Sequence, residues 1–156
     1  MLSFDLTIKM EHILAILTII IGGLVAFVAY SQFILARDKF KLDLFEKRFA
    51  IYKGVQSFLT DIMKEAKVTI ERLFQYRAET QDSMFLFDGK IAEYLKEIDE
   101  KALNLYAIAL ERSDMPKGDQ GSSLAKEESE LLRWLISQLP KLKDIFSPYL
   151  KFKTWK

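Results

Sequence analysis

Residues 13–36 read ILAILTIIIGGLVAFVAYSQFILA, a stretch of 24 residues without a charged side chain. As an α-helix, at about 1.5 Å per residue, this stretch would be about 36 Å long, against about 30 Å for the hydrocarbon core of a bilayer. A buried core helix is the competing interpretation, but a soluble bundle rarely contains a helix that is apolar on every face. The stretch therefore predicts one transmembrane helix, and tilt or placement of residues 30–32 at the headgroups accommodates the extra length.

A cleavable signal peptide is the closer alternative for this stretch. The apolar run is longer than the usual hydrophobic region of about 7–15 residues, and no small-x-small cleavage site follows it cleanly. We therefore expect residues 13–36 to be retained as the signal anchor of a single-pass membrane protein.

Basic residues are distributed unequally on the two sides of the predicted span. On the N-terminal side Lys9 is the only basic residue, and Asp5 and Glu11 lie near it. The basic residues that follow the span closely are Arg37, Lys39, Lys41, Lys47 and Arg48. The positive-inside rule places residues 1–12 outside as a short extracytoplasmic tail and residues 37–156 in the cytoplasm. The five basic side chains would then lie at the membrane surface against anionic headgroups.

One face of the predicted span carries small side chains at spacings of three and four residues. These residues are Ala15, Thr18, Gly22, Ala26 and Ala29. Such a face lets a second helix approach closely, although small residues are common in membrane helices in any case. Self-association through this transmembrane packing face is a hypothesis that Leu substitutions at Gly22 and Ala26 can test.

The first ten residues alternate strictly between apolar and polar side chains. This pattern is typical of an extended strand, but an isolated strand is not stable by itself. We prefer the alternative, in which Asp5 caps the membrane helix early and the alternation is accidental.

Three segments after the span carry apolar residues at spacings of three and four, which is typical of amphipathic helices. They cover about residues 37–79, 90–112 and 123–147. Residues 113–122 between the last two are rich in Gly, Pro, Asp and Ser, which predicts a linker. The predicted fold is all-α: a single N-terminal transmembrane helix followed by a three-helix cytoplasmic bundle with a long, coiled-coil-like first helix.

The first of these segments sustains its repeat over four heptads. The repeat consists of Leu42, Phe45, Phe49, Tyr52, Leu59, Met63, Ala66, Ile70 and Leu73. Val55, Phe58, Ile62 and Phe74 widen the apolar stripe, which favours the core of a bundle over an isolated coiled coil. Only Gly54 disfavours the helix, by about 1 kcal/mol relative to Ala. The membrane helix is therefore expected to be able to continue into the cytoplasm as one rod.

Two local features interrupt the helical pattern. The apolar run at residues 84–87 precedes an Asp-Gly pair and predicts a turn whose aromatic cluster folds onto the bundle; a patch for docking a partner is the alternative. Pro140 lies in the third segment and is expected to kink or restart that helix.

Basic and aromatic residues alternate at the C-terminal end. They are Lys151, Phe152, Lys153, Trp155 and Lys156. We expect the apolar side chains around residues 149–152 to close the base of the bundle while the lysines are solvated. Contact with lipid headgroups or with single-stranded nucleic acid is the alternative for this possible tail contact.

The residues that usually carry chemistry are scarce. The chain has no cysteine and one histidine, His12, which lies at the outer edge of the predicted span. No phosphate-binding, dinucleotide-binding or nucleophile-elbow motif occurs, and acidic residues such as Glu93 and Glu97 are typical of a solvated helix face. A net charge of +1 argues against nucleic-acid binding by a global positive field. We expect no enzymatic activity, no metal, no cofactor and no small-molecule substrate.

Three stretches, KLDLFEKRFAIY at 41–52, FLFDGKIAEYL at 85–95 and FSPYLKF at 146–152, carry a resemblance. Together they resemble a loose group of uncharacterised bacterial small membrane proteins with an N-terminal transmembrane helix and a helical cytoplasmic domain. The resemblance implies a bacterial inner (plasma) membrane location and a helical bundle, and it implies no activity.

The expected function is a membrane-anchored helical interaction module, either an adaptor or a subunit of a membrane complex. The first alternative is an oligomerising membrane-perturbing effector or toxin, by analogy with small membrane proteins of antiphage systems. The second alternative is a membrane tether for nucleic acid through the basic C-terminal tail. The expected partners are membrane lipid and either a protein or further copies of the chain.

Overall fold

The computed structural model describes residues 2–113 and 119–151 of the chain. Five α-helices follow one another: α1 (Leu2–Glu65), α2 (Ile70–Thr80), the single turn α3 (Ser83–Leu86), α4 (Gly89–Ser113) and α5 (Asp119–Phe146). Within these described ranges there is no β-strand, so the predicted all-α class is confirmed. The strand alternative for the first ten residues is wrong, because the chain is helical from Leu2. The prediction that Asp5 caps the helix is wrong as well, because Asp5 lies inside α1.

The chain divides into two compact units, Met1–Leu42 and Asp43–Lys156. The first unit is formed by the N-terminal part of α1. This helix is long and apolar enough to cross a membrane, and none of its most apolar 18-residue window is buried by the rest of the chain. The second unit is a bundle with its own core, and it contains residues 43–65 of α1 together with the four later helices.

The predicted helix of residues 37–79 does not exist as one element, because the helical path ends at Glu65 and resumes at Ile70. Ala66 adopts a left-handed φ of 52°, and its N–H donates to the carbonyl oxygen of Ile62 over 2.9 Å. This geometry is a common way for a helix to end. Thr69 then caps α2, its side-chain oxygen accepting a hydrogen bond from the N–H of Arg72 at 3.3 Å.

The face of α1 that packs into the bundle is also rotated relative to the predicted heptad. The buried residues of α1 are Ile51, Val55, Phe58, Leu59 and Ile62. Phe49 and Met63, which belong to the heptad, are 40% and 46% exposed. Val55, Phe58 and Ile62, which were expected only to widen the stripe, therefore lie at its centre, because the helices that follow the corner at Ala66 cover that side of α1. Phe74, which was expected to widen the stripe as well, is 60% exposed, so that part of the prediction is wrong.

The core of the bundle combines aliphatic side chains with one central aromatic pair. The rings of Phe58 and Tyr76 stack with 4.4 Å between their centroids, and both are almost completely buried. The hydroxyl of Tyr76 donates to the carbonyl oxygen of Leu95 at 2.9 Å, so its polar group is satisfied inside the core. Burial raises the pKa of Tyr76 well above its usual value.

Helices α4 and α5 pack against each other extensively. Helix α4 agrees closely with the predicted segment 90–112, whereas α5 begins at Asp119, within the predicted linker. Residues 114–118 of that linker lie outside the described residues. Helix α5 runs through Pro140 without restarting, so the expected restart is wrong.

Ion pairs connect neighbouring helices across the bundle surface. Arg77 of α2 donates two hydrogen bonds to Asp99 of α4, at 2.7 and 2.9 Å, in the two-pronged geometry that favours arginine. Arg112 of α4 pairs with Glu128 of α5. These contacts fix the relative positions of three helices in the second unit.

Candidate functional site

The small side chains of the first unit lie on an exposed stretch of α1. Ala15, Thr18, Gly22, Ala26 and Ala29 are all exposed. A methyl group added at Gly22 would meet no other atom of the described chain within 4 Å. The hydroxyl of Thr18 donates to the carbonyl oxygen of Leu14 at 2.8 Å, so this polar group is satisfied within its own helix. The face is therefore open and has no unsatisfied hydroxyl.

The five basic residues that follow the apolar stretch fall into two groups. Arg37, Lys39 and Lys47 are exposed and Lys41 is half-buried, and Arg37 lies 3.6 Å from Asp38. Arg48 differs, because its guanidinium is turned into the bundle. Two of its nitrogens donate hydrogen bonds there, and contact of the five side chains with lipid headgroups stays a prediction.

Arg48 connects three separate parts of the second unit. Its Nε donates to the carbonyl oxygen of Leu86 at 2.7 Å, and its Nη1 donates to that of Tyr149 at 3.4 Å. The guanidinium also lies 5.7 Å from the ring centroid of Phe87, within range of a cation–π interaction. Burial lowers the pKa of Arg48, which nevertheless stays charged at any physiological pH.

Asp88 receives two kinds of hydrogen bond at the start of α4. Its Oδ1 accepts from the backbone N–H of Ile91 at 3.3 Å and so caps the helix, and its Oδ2 accepts from the hydroxyl of Tyr149. The hydrogen bond from Tyr149 lowers the pKa of Asp88 and raises the pKa of Tyr149. Both effects favour the ionised carboxylate with a neutral tyrosine.

Aromatic rings pack around these polar contacts. Phe87 meets both Phe146 and Tyr149 edge-to-face, with 5.4 Å between centroids in each pair. Phe146 in turn meets Tyr52 at 5.6 Å. We call Arg48, Phe87, Asp88, Phe146 and Tyr149 the junction cluster. Its residues come from the three stretches 41–52, 85–95 and 146–152, so these stretches meet in space.

Sequence reasoning identified the members of this cluster but not their partners. The hydrogen bonds of Arg48 connect residues that are 38 and 101 positions apart, and no local pattern encodes such a distance. The one available signal was the Asp88-Gly89 pair before an apolar repeat, which is typical of a helix start.

A groove lies beside the junction cluster, with a volume of about 260 Å³. Its apolar surface comes from Phe49, Tyr52 and Leu150. Its polar surface comes from Lys143, Ser147 and Lys151. Phe49 and Tyr52 belong to a row of aromatic rings on α1. Phe49 stacks on Phe45 and on Tyr52, with 5.6 and 5.8 Å between the ring centroids.

A second cleft, of about 270 Å³, lies at the corner between α1 and α2. Arg72 spans it, with its Nε donating to Asp61 at 2.8 Å and its Nη1 3.7 Å from Glu79. The same guanidinium lies 5.5 Å from the ring centroid of Phe58. These contacts hold the corner together. Among residues 2–113 and 119–151, no group of three or more His, Cys, Asp or Glu side chains is placed to hold a metal ion.

The apolar run at residues 84–87 divides into two pairs. Leu86 packs against the core and Phe87 is 8% exposed, as the folding-back prediction requires. Met84 and Phe85 are 65% and 80% exposed, which agrees with the docking alternative. The prediction of a turn that folds onto the bundle therefore describes Leu86 and Phe87, and the docking alternative describes Met84 and Phe85.

The predicted tail contact can be followed only as far as Lys151, which is exposed. Tyr149 and Leu150 pack against the core, as expected for residues that close the base of the bundle. Phe152, Lys153, Trp155 and Lys156 lie outside the described residues.

Comparison with known proteins gives no relative for this chain. No protein family, no curated protein and no solved structure matches it. The resemblance of the three stretches therefore remains a prediction, and any function must be argued from the chain's own geometry.

Proposed function

We propose that this chain is a membrane-anchored helical interaction module of a bacterial plasma membrane. Residues 13–36 anchor it, residues 1–12 lie outside, and residues 37–156 form a cytoplasmic bundle that binds a protein partner or further copies of the chain. The proposal includes no catalytic activity, since the sequence carries no recognised catalytic motif.

The observation that carries the proposal is the exposure of the apolar stretch, together with a second unit that has its own core. Apart from Ile34, the large apolar side chains from Ile13 to Leu35 are 50% to 73% exposed. Moving them from water into lipid contributes on the order of 20 kcal/mol or more. The helical backbone satisfies its own hydrogen bonds, which is what a lipid environment requires.

The bundle offers apolar side chains for a partner at a distinct place. Phe85 is 80% exposed and Met84 65% exposed on the single turn α3, and Phe74 on α2 is 60% exposed. Large aromatic side chains of this kind are enriched at protein–protein interfaces. We assign partner binding to Met84 and Phe85, because their side chains are exposed. Leu86 and Phe87 beside them pack with the core and hold the turn in place.

Anchoring is tested by alkaline carbonate extraction of membranes from cells that produce the full chain. The unsubstituted chain should stay in the membrane pellet, and I20D combined with L24D should move it to the supernatant. The control adds the same two charges on the exposed bundle surface, as S57D combined with N104D, and should stay in the pellet. Release of the unsubstituted chain would refute the proposal.

Partner binding is tested by crosslinking in membranes. F85D should abolish a crosslinked species, whereas S57D, which adds the same charge at another exposed position, should preserve it. A crosslinked species that F85D leaves intact would contradict the assignment of the partner surface to α3.

A self-associating membrane-perturbing effector is the second candidate, and the open face around Gly22 favours it. It predicts loss of membrane potential when the chain is overproduced, with recovery in G22L combined with A26L. An inert anchor predicts an unchanged potential in both cases.

A further inference from the structure

The single turn α3 presents two large apolar side chains at the surface of the bundle. Phe85 is 80% exposed and Met84 is 65% exposed. The turn itself is held in place, because the N–H of Phe87 donates to the carbonyl oxygen of Ser83 at 3.0 Å and Phe87 is buried. Asp82 begins the turn, and its exposed carboxylate caps no N–H of α3. We call Asp82, Met84 and Phe85 the α3 protrusion.

The groove beside the junction cluster has complementary features. Its volume is about 260 Å³, and Phe49, Tyr52 and Leu150 supply its apolar lining. An apolar cavity of about 150 Å³ is large enough to hold a benzene ring, so the groove has room for one phenylalanine ring. Lys143 borders the groove and is exposed, and none of the six described residues that line it carries a carboxylate. The groove therefore matches the α3 protrusion in size, in apolar character and in charge.

The α3 protrusion and the groove are neighbours within the second unit. Arg48 donates to the carbonyl oxygen of Leu86, the residue after Phe85, and to that of Tyr149, the residue before Leu150. Neither apolar residue of the protrusion lines the groove of its own chain. One surface thus carries both halves of a possible contact side by side. Such a surface is self-complementary, which is what a two-fold symmetric dimer requires.

We propose that a second copy of this chain binds this surface and forms a two-fold symmetric dimer. Phe85 of each copy inserts into the groove of the other copy, and Met84 covers the edge of that groove. Asp82 pairs with Lys143 of the other copy. This inference rests on the proposed function, in which α3 binds a partner, and it identifies that partner.

The available area is sufficient for a dimer of this kind. At about 200 Å² for a side chain of this size, the exposed parts of Met84 and Phe85 amount to about 300 Å². With a similar area from the groove, and with the contact made twice, the dimer buries about 1,200 Å² in total, the lower end of the range for specific interfaces. We therefore expect a dimer that dissociates on dilution.

The test is the native mass of the full chain in mild detergent, measured over a range of protein concentrations. The unsubstituted chain should be a dimer at high concentration, and F85D should be a monomer. D82K and K143D should each weaken dimerisation about tenfold, because each places like charges together at both contacts. D82K combined with K143D restores opposite charges at both contacts and should return dimerisation to within about threefold of the unsubstituted chain.

Matched controls reverse charges away from the two surfaces. E111K lies near the end of α4 that is remote from α3, and K126D lies in the first part of α5; both positions are exposed. These variants should dimerise like the unsubstituted chain. If they weaken dimerisation as much as D82K and K143D do, or if the combined reversal restores nothing, the inference is wrong. An unchanged helical circular dichroism spectrum in every variant shows that binding is affected and not folding.

Further outcomes separate this inference from the proposed function. A complex in which α3 binds a different protein, disrupted by F85D while the chain alone is monomeric, would overturn the second copy as the partner and leave the proposed function intact. A dimer that G22L combined with A26L abolishes and F85D leaves unchanged would assign self-association to residues 13–36. That result would overturn both this inference and the assignment of partner binding to α3.

Discussion

Tyr149 makes one of the polar contacts of the junction cluster. Its hydroxyl donates to Asp88 Oδ2 while Asp88 Oδ1 caps α4, so one carboxylate links the end of α5 to the start of α4. The pKa of Asp88 is lowered in the folded chain, because the hydrogen bond favours the ionised form. The stability that follows from this shift is present above the usual pKa of an aspartate and is lost as the pH falls through the lowered pKa.

We therefore predict a pH-dependent effect of Y149F. At neutral pH the variant should melt at a lower temperature than the unsubstituted chain, and this difference should narrow as the pH falls below about 4. Thermal unfolding of both proteins in detergent, followed by circular dichroism across this pH range, measures the difference. Y106F removes a tyrosine hydroxyl elsewhere in the bundle and serves as control. A difference that stays constant on acidification would contradict the assigned role of Asp88.

The corner between α1 and α2 is the element whose geometry departs most from the sequence expectation. Ala66 ends α1 in a left-handed conformation, which costs an alanine about 1–2 kcal/mol and costs glycine almost nothing. Glycine also gives the unfolded chain more freedom, which offsets part of the gain. We predict that A66G stabilises the bundle by about 0.5 kcal/mol.

A50G is the matched control for that substitution. Ala50 is exposed in the middle of α1, where glycine should destabilise the helix by about 1 kcal/mol. Chemical unfolding of the two variants and the unsubstituted chain gives the comparison. If both variants lose stability equally, the left-handed corner is not present in solution.

A second prediction concerns the face of α1 that packs into the bundle. Phe58 is fully buried against Tyr76, so F58A should cost about 3–5 kcal/mol in the free energy of unfolding. F49A removes the same side chain from a position that is 40% exposed and should cost less than about 1 kcal/mol. Equilibrium unfolding of both variants measures the two losses, and equal losses would contradict the packing of Phe58 at the centre of this face.

The reasons for success and failure of sequence reasoning are visible in particular elements. The helix of residues 13–36 was predictable from its composition. Helix α4 was predictable from the Asp88-Gly89 pair and from the apolar residues that recur every three or four positions after it. The corner at residues 66–69 was not predictable, because the apolar repeat continues through these residues and none of them is glycine or proline. Burial of Val68, at 6% exposure, is a tertiary gain that local propensity does not encode. The contacts of Arg48 were missed for the same reason.

At the scale of the whole chain, the two units have different surface chemistry. The first exposes the uncharged apolar stretch of residues 13–36, while the second buries its own core and joins its helices through ion pairs such as Arg77–Asp99. An exposed apolar surface of this extent is stable in lipid and costly in water. Membrane insertion of residues 13–36 is therefore the central claim of the account.

Site-specific labelling tests this claim most directly, because the natural chain has no cysteine. Full-length S3C and S57C are each produced in cells, which are treated with a membrane-impermeant maleimide before or after permeabilisation. The account predicts that Cys at position 3 is labelled in intact cells and that Cys at position 57 is labelled only after permeabilisation. Labelling of both positions only after permeabilisation, together with release of the chain by carbonate, would contradict it.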